Sequence, residues 1–353
     1  MNPLRLLLLP FSIIYSVITW FRNWLYDHNL LKSYKPEVPI ISVGNITVGG
    51  TGKTPHCEFL IQVLTEHGFH VAYLSRGYGR KTKGFRWVRN NSLATEVGDE
   101  AVQVASKFPA IRVAVCENRS NGIKTIKSEY PDINVVILDD AFQHRKIKPT
   151  LNILLTDMAR LYKQDYLLPF GKLRESSAGA KRADLIIITK TPTIFPVLLK
   201  KYLQKTISPK PYQRTFFTFY EYSDFIPVHE SQSKCRSQAI NHIFLLAGIE
   251  NPLPLSEHLE QKGFFVHLKA YPDHHFYSSY EIAGLINEFE AIPGKKKIIL
   301  TTEKDLARMD EDLIQSLSQY PFYKIAVRVC FHESQEEEFI RFVINKIKES
   351  GKG

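Results

Sequence analysis

The sequence predicts an α/β fold with a mostly parallel sheet, a second and smaller α/β domain, and a hydrophobic helix at the N-terminus. Three observations support this prediction. Short, apolar, β-branched segments alternate with helical segments through the first two-thirds of the chain, and such alternation is typical of parallel sheets with helices on both faces. A stretch rich in proline and aromatic residues, residues 191–227, interrupts the alternation, which then resumes. A long uncharged segment opens the chain.

The length of 353 residues and a hydrophobic content of 44% allow two domains with ordinary cores. The expected divisions are residues 1–35 for the membrane-associated helix, 36–212 for the first domain, 213–227 for a linker and 228–353 for the smaller domain.

The N-terminal segment, residues 6–21, carries no charge and lies between Arg5 and Arg22. It is shorter than the roughly twenty residues that span a bilayer, and Pro10 interrupts it. No small-residue cleavage site follows, which argues against a signal peptide. A buried core helix is one alternative. A monotopic helix in the inner leaflet is favoured, because aromatic and basic residues such as Trp24 would lie at the headgroups.

A glycine-rich turn, residues 45–54 with the sequence N-I-T-V-G-G-T-G-K-T, follows a predicted strand and precedes a predicted helix. This is the context of a phosphate-binding P-loop, so the first domain is predicted to be P-loop NTPase-like. Lys53 would reach the β- and γ-phosphates, and Thr54 would place its hydroxyl on Mg²⁺. Thr47 stands where the usual pattern has glycine. The predicted nucleotide-binding residues are Thr47, Val48, Gly49, Gly50, Thr51, Gly52, Lys53 and Thr54.

The remaining elements follow in chain order. First-domain strands are predicted at residues 39–43, 70–75, 112–116, 134–139, 151–156 and 185–189, and helices at 53–67, 99–107 and 119–130. Residues 85–88 predict a strand of a small inserted hairpin, and residues 213–222 an extended linker strand. In the second domain, strands are predicted at 243–247, 264–268, 297–301 and 323–329, and a final helix at 336–348.

The formal net charge of +10 and the pI near 9.2 point to an acidic partner. Nucleic acid, anionic lipid and a phosphorylated substrate would each fit. No nucleic-acid-binding signature is present and the basic residues are dispersed, so nucleic acid is not expected. The four cysteines lack C-x-x-C spacing and are interpreted as reduced thiols.

Two adjacent carboxylates, Asp139 and Asp140, end an apolar strand, where a P-loop enzyme needs an acid to hold Mg²⁺. A helix cap or turn role is the alternative. Asp99 opens a predicted helix, and composition alone does not distinguish an N-cap from a base beside the γ-phosphate.

Basic residues follow several predicted strands. Arg119 begins a helix after the third strand, at an edge where open α/β sheets bind ligands. Arg174 and Glu175 end a Gly-led cluster at residues 171–175. The sequence Asp-His-His at residues 273–275 suggests a metal site, but no third ligand has suitable spacing, so a catalytic or orienting role is favoured.

The motifs, taken in order, resemble the tetraacyldisaccharide 4'-kinase (lipid A 4'-kinase) family over nearly the whole chain. They are V-G-N leading into G-G-T-G-K-T at 43–54, S-R-G-Y at 75–78, G-D-E at 98–100, D-D-A-F-Q-H-R at 139–145, L-R-E at 173–175 and D-H-H at 273–275. Thr47 fits this family's variant of the P-loop, and Ala141 departs from an expected glycine.

The resemblance implies an ATP- and Mg²⁺-dependent transfer to the 4'-hydroxyl of a tetraacyl glucosamine disaccharide 1-phosphate. The product would be lipid IVA, an intermediate of lipid A (lipopolysaccharide) biosynthesis, made at the cytoplasmic face of the bacterial inner membrane. It assigns Asp99 as general base with His274, or its neighbour His275, as partner. The implied catalytic residues are Asp99, His274, Lys53, Arg119 and Arg174, and the implied Mg²⁺ residues, direct or through water, are Thr54, Asp139, Asp140 and Glu175.

Two other functions are alternatives to a lipid kinase. A membrane-associated P-loop GTPase would need an N-K-x-D motif, and T-K-T-P at residues 189–192 lacks the aspartate. A nucleotide-dependent scaffold with a vestigial P-loop is disfavoured, because Lys53, Thr54 and Asp139 are all present.

Overall fold

The computed structural model describes residues 3–89, 91–229, 240–294 and 296–350. These residues form a nine-stranded sheet and a five-stranded sheet, each covered by helices. The predicted α/β class is confirmed.

The strands, in chain order, are β1 (Ile40–Asn45), β2 (Val71–Ser75), β3 (Arg86–Trp87), β4 (Arg112–Val115), β5 (Val135–Asp139), β6 (Leu151–Asp157), β7 (Leu185–Thr189), β8 (Arg214–Tyr222), β9 (Ile226–Pro227), β10 (His242–Ala247), β11 (Phe265–Ala270), β12 (Lys297–Thr302), β13 (Phe322–Ile325) and β14 (Val327–Phe331). The α-helices are α1 (Leu9–Asp27), α2 (Lys53–Glu66), α3 (Ala94–Val97), α4 (Asp99–Lys107), α5 (Arg119–Glu129), α6 (Val197–Ile207), α7 (Leu253–Gln261), α8 (Ser279–Ala291), α9 (Glu303–Leu306), α10 (Glu311–Ser316) and α11 (Gln335–Ser350). Short 3-10 helices cover Pro3–Leu8, Tyr162–Gln164 and Ser177–Arg182.

The large sheet has the order β14-β8-β7-β6-β1-β5-β2-β4-β3. Its seven central strands are parallel, and an antiparallel strand closes each edge. The central strands β1, β2, β5 and β7 are buried along their whole length, as expected for a parallel sheet between helices. Residues 85–88 were predicted to belong to a hairpin; instead, β3 is an edge strand that pairs with β4.

The small sheet has the order β11-β10-β12-β13-β9, with β9 antiparallel to four parallel strands. The single strand predicted at residues 323–329 is two strands in different sheets. The two strands divide at Ala326, whose amide donates to the Ser223 hydroxyl (3.0 Å) instead of to a neighbouring strand. The Ser223 amide in turn donates to the Ala326 carbonyl (3.0 Å). The chain therefore crosses between the sheets at two adjacent points.

The expected divisions at 213–227 and 228–353 do not follow this strand pairing. β8, placed in the linker, pairs along its length with β7 and β14 of the large sheet. α11, placed in the smaller domain, packs on the large-sheet core through Phe339, Val343 and Ile347. Helices α6 to α10 were not predicted. Sequence periodicity can indicate that one face of a helix is buried, but it does not indicate which sheet that face packs against.

The N-terminal helix extends beyond the uncharged run, because α1 continues to Asp27 and the preceding 3-10 helix begins at Pro3. By length and composition the segment Leu6–Asp27, with 22 residues and a mean hydropathy of 1.4, is sufficient to cross a membrane. Its apolar side chains are almost all exposed, and only Ser12 and Tyr26 of α1 are buried. The alternative of a buried core helix is therefore wrong.

Phe339 tests the assignment of α11 to the large-sheet core. Its ring lies 4.9 Å from Phe331 of β14, 5.3 Å from Phe216 of β8 and 6.1 Å from Phe59 of α2, and it is almost fully buried. Phe339→Ala should lower the free energy of unfolding by about 3–5 kcal/mol because it leaves a cavity among these rings. Urea denaturation followed by circular dichroism measures the change.

The control is Glu337→Ala on the exposed face of the same helix. It should change the free energy of unfolding by less than about 0.5 kcal/mol. Equal effects of the two substitutions would contradict the packing of α11 described above.

Candidate active site

The P-loop joins β1 to α2 at the carboxyl edge of the large sheet. β1 lies between β5 and β6, so the loop emerges at the centre of that edge. Gly52 is the N-cap of α2 with φ +86°, a left-handed conformation that favours glycine. A Cβ atom at Gly52 would also overlap the Tyr220 hydroxyl. The glycine is therefore required both by the backbone conformation and by its neighbour.

Three side chains hold the loop in shape. The Thr189 hydroxyl donates to the Thr51 carbonyl (3.0 Å), Asn45 Nδ2 donates to the Thr51 hydroxyl (2.8 Å), and Lys190 Nζ donates to the Gly50 carbonyl (2.5 Å). Thr189 is the last residue of β7, and Lys190 follows it. The loop is therefore supported by β7, which lies two strands away from β1 in the large sheet. The Val48, Gly50 and Thr51 amides are already engaged within the protein, so this fixed backbone leaves the N-terminus of α2 as the part of the turn best placed to bind an anion.

His56 connects the first turn of α2 to β8. Its Nδ1 lies 2.7 Å from the Gly52 carbonyl and its Nε2 lies 3.0 Å from the Thr218 hydroxyl. Burial lowers the pKa of His56 to about 4, so the ring is neutral at physiological pH. The start of the phosphate-binding helix is thus tied to a strand that leads into the second sheet.

Residues 171–175 lie against the P-loop, which their sequence position does not reveal. Thr47 and Leu173 form an antiparallel bridge, the Val48 amide donates to the Lys172 carbonyl (2.7 Å), and the Arg174 amide donates to the Ile46 carbonyl (2.7 Å). The bridge brings the predicted residues Arg174 and Glu175 beside the predicted nucleotide site.

Asp139 is the last residue of β5 and pairs in register with Val43 of β1. It is fully buried, and its Oδ2 accepts a hydrogen bond from the Tyr73 hydroxyl (2.6 Å). Its Oδ1 has no hydrogen-bond partner among the described residues. Burial raises the pKa of Asp139, and the charge of Lys53 opposes this effect. A buried carboxylate oxygen without a partner is the arrangement expected of a residue that binds a cation.

Asp140 has a left-handed backbone, with φ +47°, and its carboxylate points towards cations. Both of its oxygens accept from Arg174 Nη1 (2.8 Å each), and Lys53 Nζ lies 3.8 Å away. Burial alone would raise the pKa of Asp140, but Lys53 and Arg174 outweigh it and lower the pKa. The strained backbone of Asp140 is of the kind that clusters at functional sites.

Glu175 is buried and held by three donors. Its Oε1 accepts from Gln143 Nε2 (3.0 Å) and Arg182 Nη2 (2.7 Å), and its Oε2 accepts from Asn23 Nδ2 of α1 (3.0 Å). Because these donors already satisfy the carboxylate, any contact between Glu175 and a metal would run through water.

The N-terminal helix forms one wall of this region. The Tyr15 hydroxyl donates to the Arg174 carbonyl (2.7 Å), and the Ser12 hydroxyl donates to the Leu167 carbonyl (2.9 Å). α1 therefore contacts the segment that carries two of the predicted site residues, while its other face is exposed.

Arg119 is almost fully buried at the start of α5. Its Nη1 donates to the Cys116 carbonyl (2.6 Å) and its Nη2 to the Asp139 carbonyl (3.1 Å). Burial lowers the pKa of Arg119 to about 10, so it stays protonated at neutral pH. The guanidinium holds the ends of β4 and β5 together and adds positive charge to the carboxyl edge of the sheet.

Asp99 and His274 meet across the two sheets. Asp99 begins α4 and is buried, and His274 Nδ1 lies 2.8 Å from its Oδ2. His275 instead places Nε2 2.9 Å from Glu281, so the structure pairs His274 with Asp99. Like Asp140, His274 has a left-handed backbone, with φ +62°.

A third residue completes this contact. Arg308 Nε donates to Asp99 Oδ2 (2.7 Å), and the Arg308 side chain is fully buried. Burial alone would raise the pKa of Asp99, but the hydrogen bond from His274 and the charge of Arg308 hold the pKa well below its usual range.

A cavity of about 1090 Å³ joins these groups. It is lined by P-loop residues, by the ends of β2 and β5, by α1 and by the second sheet's His274 and Lys304. Of the predicted site residues it is lined by Val48, Gly49, Gly50, Lys53, Arg119, Asp139, Asp140, Arg174, Glu175 and His274. The cavity is not lined by Thr47, Thr51, Gly52, Thr54 or Asp99.

Glu100 and Glu250 line the cavity and were not predicted to be functional. Burial and the nearby Asp139 raise the pKa of Glu100 to about 7. The Glu250 carboxylate accepts a hydrogen bond from the Gly50 amide, so a residue that follows β10 reaches the P-loop. Only the position of Glu100 beside Asp99 gave a sequence signal; Glu250 and Arg308 belong to no motif that would identify them.

The donor set fits Mg²⁺. Within the described ranges no group of three or more His, Cys, Asp or Glu side chains could hold a metal alone. Mg²⁺ is usually held by one or two carboxylates together with water and substrate phosphates. The partnerless Asp139 oxygen at the P-loop supplies that kind of ligand.

Comparison with known proteins gives a consistent result over the whole chain. A family model described as Tetraacyldisaccharide-1-P 4'-kinase matches residues 4–348. The tetraacyldisaccharide 4'-kinase of Bacteroides thetaiotaomicron is 38% identical over 355 residues, covering 97% of this chain and 93% of the relative. The tetraacyldisaccharide 4'-kinase of Flavobacterium psychrophilum is 39% identical over 360 residues, covering 99% of each.

A solved structure is similar as well. The crystal structure of LpxK from Aquifex aeolicus in complex with ATP matches with a TM-score of 0.73 and 30% identity, covering 97% of this chain and 99% of that chain. The family match and these relatives together show that the chain belongs to the tetraacyldisaccharide-1-P 4'-kinase family.

Proposed function

We propose that this chain transfers the γ-phosphoryl group of ATP to the 4'-hydroxyl of a tetraacyl glucosamine disaccharide 1-phosphate, giving lipid IVA. The observation that carries the proposal is one cavity lined by Lys53 of the P-loop, by Asp139 at the end of β5 with the adjacent Asp140, and by His274 in the loop after β11. A phosphate cradle, a metal-binding carboxylate and a proton-accepting pair are the parts that a kinase must bring together.

The P-loop amides and Lys53 bind the phosphates of ATP. Lys53 lies 3.8 Å from Asp140 with little exposure of its side chain, so its ammonium is directed into the cavity. Arg119 and Arg174 add fixed positive charge on the acceptor side. Such preorganised cations stabilise the charge that spreads over the transferring group.

Mg²⁺ would be held by Asp139 and the Thr54 hydroxyl, with Asp140 and Glu175 acting through water. When bound, the ion neutralises charge on the β- and γ-phosphates. The chain's own contribution is orientation: the Tyr73 hydroxyl fixes Asp139 Oδ2, and Oδ1 is left without a partner among the described residues.

Asp99 and His274 accept the proton of the acceptor hydroxyl as a pair, with Asp99 as the base and His274 orienting it. His274 reaches the cavity, and Asp99 lies directly behind it. The low pKa of Asp99 keeps it ionised, although it makes the carboxylate a weak base. Phosphoryl transfer through a loose transition state requires positioning more than strong basicity, so a weak base suffices.

The membrane-facing part of the proposal concerns α1. Its exposed apolar face would lie in the cytoplasmic leaflet of the inner membrane, with the protein bound peripherally. The acyl chains of the substrate would stay in the bilayer while the sugar headgroup enters the cavity beside Tyr15 and Asn23. Anionic lipids and a phosphorylated substrate account for the net positive charge without nucleic acid.

ADP release tests the proposed function directly. The wild-type protein should release ADP from Mg·ATP only when the acylated disaccharide 1-phosphate is added. Lys53→Ala and Asp139→Ala should nearly abolish this release, because each removes charge compensation worth several kcal/mol at such sites. Circular dichroism should show that both variants remain folded.

The same assay separates the alternatives. ADP release without the lipid, or GDP release when Mg·GTP replaces Mg·ATP, would support a GTPase-like hydrolase, and nucleotide binding without turnover would support a scaffold. Normal turnover of either variant would remove that residue from the mechanism.

A triple substitution tests membrane binding by α1. Phe11, Ile14 and Ile18 lie on one face of the helix and are 62%, 58% and 61% exposed. Replacing all three with glutamate should release most of the protein from sedimented phospholipid vesicles, because charged side chains are costly in the acyl region. Turnover with detergent-dispersed acceptor should persist, since Tyr15 and Asn23 still contact the site.

The matched control replaces Leu253, Phe265 and Tyr280 with glutamate. These residues are also exposed and apolar but lie in the second sheet and its helices. They should leave vesicle binding unchanged. Equal release by both sets would mean that added negative charge, not loss of the α1 face, detaches the protein.

A double-mutant cycle tests the pair. Asp99→Asn should lower kcat by about 10²–10⁴-fold with little change in the KM for ATP, because the base acts mainly in the transition state. His274→Gln in the Asp99→Asn background should add little, because residues that act as a unit are strongly non-additive. Steady-state kinetics of the four proteins measure the coupling.

Glu100→Gln is the control, because Glu100 also lines the cavity and is adjacent to Asp99. It should cost much less than Asp99→Asn. A larger loss for Glu100→Gln would transfer the base role to Glu100, and fully additive effects of Asp99 and His274 would refute the pair.

A further inference from the structure

Arg308 is the buried centre of the contact between the two sheets. It follows α9, and its side chain has no solvent exposure. Nη1 donates to the Gly248 carbonyl (2.5 Å) and Nη1 also lies 3.1 Å from Asp305, while Nη2 lies 3.4 Å from Asp273. With Nε on Asp99, one planar guanidinium contacts three carboxylates and a backbone carbonyl.

The surrounding groups show why a guanidinium is needed. Asp305 is itself fixed by the Tyr277 hydroxyl (2.9 Å), the Thr302 hydroxyl (2.7 Å) and the Gly248 amide (3.0 Å). Arg308 is therefore anchored on one side by a rigid carboxylate network. The N–H groups of one guanidinium can contact Asp305 and Asp99 at the same time, whereas the ammonium group of a lysine is a single point charge.

Arg308 also determines which Asp99 oxygen remains available. Asp99 Oδ2 is engaged by both Arg308 and His274, and Oδ1 accepts only from the backbone amide of Glu100 (3.0 Å) among the described residues. Arg308 Nη2 lies 3.5 Å from His274 Nδ1, so the same side chain borders both members of the pair.

We infer that Arg308 is a positioning residue for phosphoryl transfer: it holds Asp99 and His274 together across the two sheets and directs Asp99 Oδ1 to the acceptor. The inference rests on the proposed kinase function and deepens it. Asp99 begins α4 and His274 lies in the loop between β11 and α8, so the two residues come from distant segments, and Arg308 contacts Asp99 and borders His274.

The charges around Asp99 predict a measurable pH effect. From the second sheet it faces His274, Arg308 and Lys304, and beside it on α4 lies Glu100. Burial raises the pKa of Asp99, and the His274 hydrogen bond and the Arg308 charge lower it, so removing the Arg308 charge should raise the pKa of Asp99 above its value in the wild type. The acid limb of the pH profile of kcat/KM should then move to higher pH, which a purely structural defect would not cause.

The test compares wild type, Arg308→Gln and Arg308→Lys. For each protein, kcat and KM for ATP and for the acylated disaccharide are measured from about pH 3 to 9, so that the acid limb falls within the range, and ATP binding is measured by calorimetry without the acceptor. Arg308→Gln should lose about 10²-fold in kcat, the scale of misplacing a catalytic group by an ångström, with ATP affinity preserved. Arg308→Lys should keep the acid limb near that of wild type, because the charge remains, yet recover only part of kcat.

The control is Arg341→Gln, which removes an exposed arginine of α11 and should leave all parameters unchanged. Wild-type kcat and an unmoved acid limb in Arg308→Gln would overturn the inference. If Arg308→Gln does not fold, Arg308→Lys decides: full wild-type kcat overturns the inference, and reduced kcat with normal ATP binding supports it. A wild-type protein that binds ATP but never phosphorylates the lipid would instead overturn the proposed function itself.

Discussion

The parallel register of β1 between β5 and β6 is the constraint on which the rest of the site depends. Strand β1 carries the P-loop at its carboxyl end, and β5 carries Asp139 at the same edge because both strands run in the same direction. Val43 and Asp139 are directly opposite, which places the backbone of Asp139 one strand spacing, roughly 5 Å, from that of Val43, two residues before the loop. An antiparallel β5 would put Asp139 at the opposite edge of the sheet, far from the phosphates.

Several carboxylates lie close together at the carboxyl edge of the large sheet, and arginine side chains compensate their negative charge. Asp99 and Asp139 are buried and Asp140 is partly buried, and a buried charge is costly unless it is paired. Arg119, Arg174 and Arg308 each neutralise one part of the cluster. Asp139 differs, because one of its oxygens lacks any partner among the described residues. This difference separates carboxylates held by protein cations from the one suited to a bound ion.

The two faces of the N-terminal helix have different surroundings. Its outer face is apolar and exposed, and its inner face carries Tyr15 and Asn23, which hydrogen-bond to the Arg174–Glu175 segment. A helix bound to the membrane in this way would place the mouth of the cavity next to the lipid headgroups. Because Asn23 of α1 donates a hydrogen bond to Glu175, a change in the position of α1 would directly alter the hydrogen bonding of Glu175.

The sequence alone determined the features that depend on neighbouring residues. The glycine at position 52, the start of α2 at Lys53, the strand before Asp139 and the apolar N-terminal helix all follow from local conformational preference and hydrophobic period. Most predicted site residues also line one cavity, because strand ends of a parallel sheet converge at one edge. Motif resemblance added the identity of the family, which the comparisons confirmed.

Tertiary structure decided what depends on contacts between distant segments. The split at Ala326, which sends β14 and α11 back to the large sheet, has no signal in the strand-like sequence of residues 323–329. The pairing of Asp99 with His274 rather than His275, and the insertion of Arg308 and Glu250, join residues separated by 175 to 209 positions. Such contacts are fixed by how the two sheets pack, and the amino-acid order within either segment does not encode that geometry.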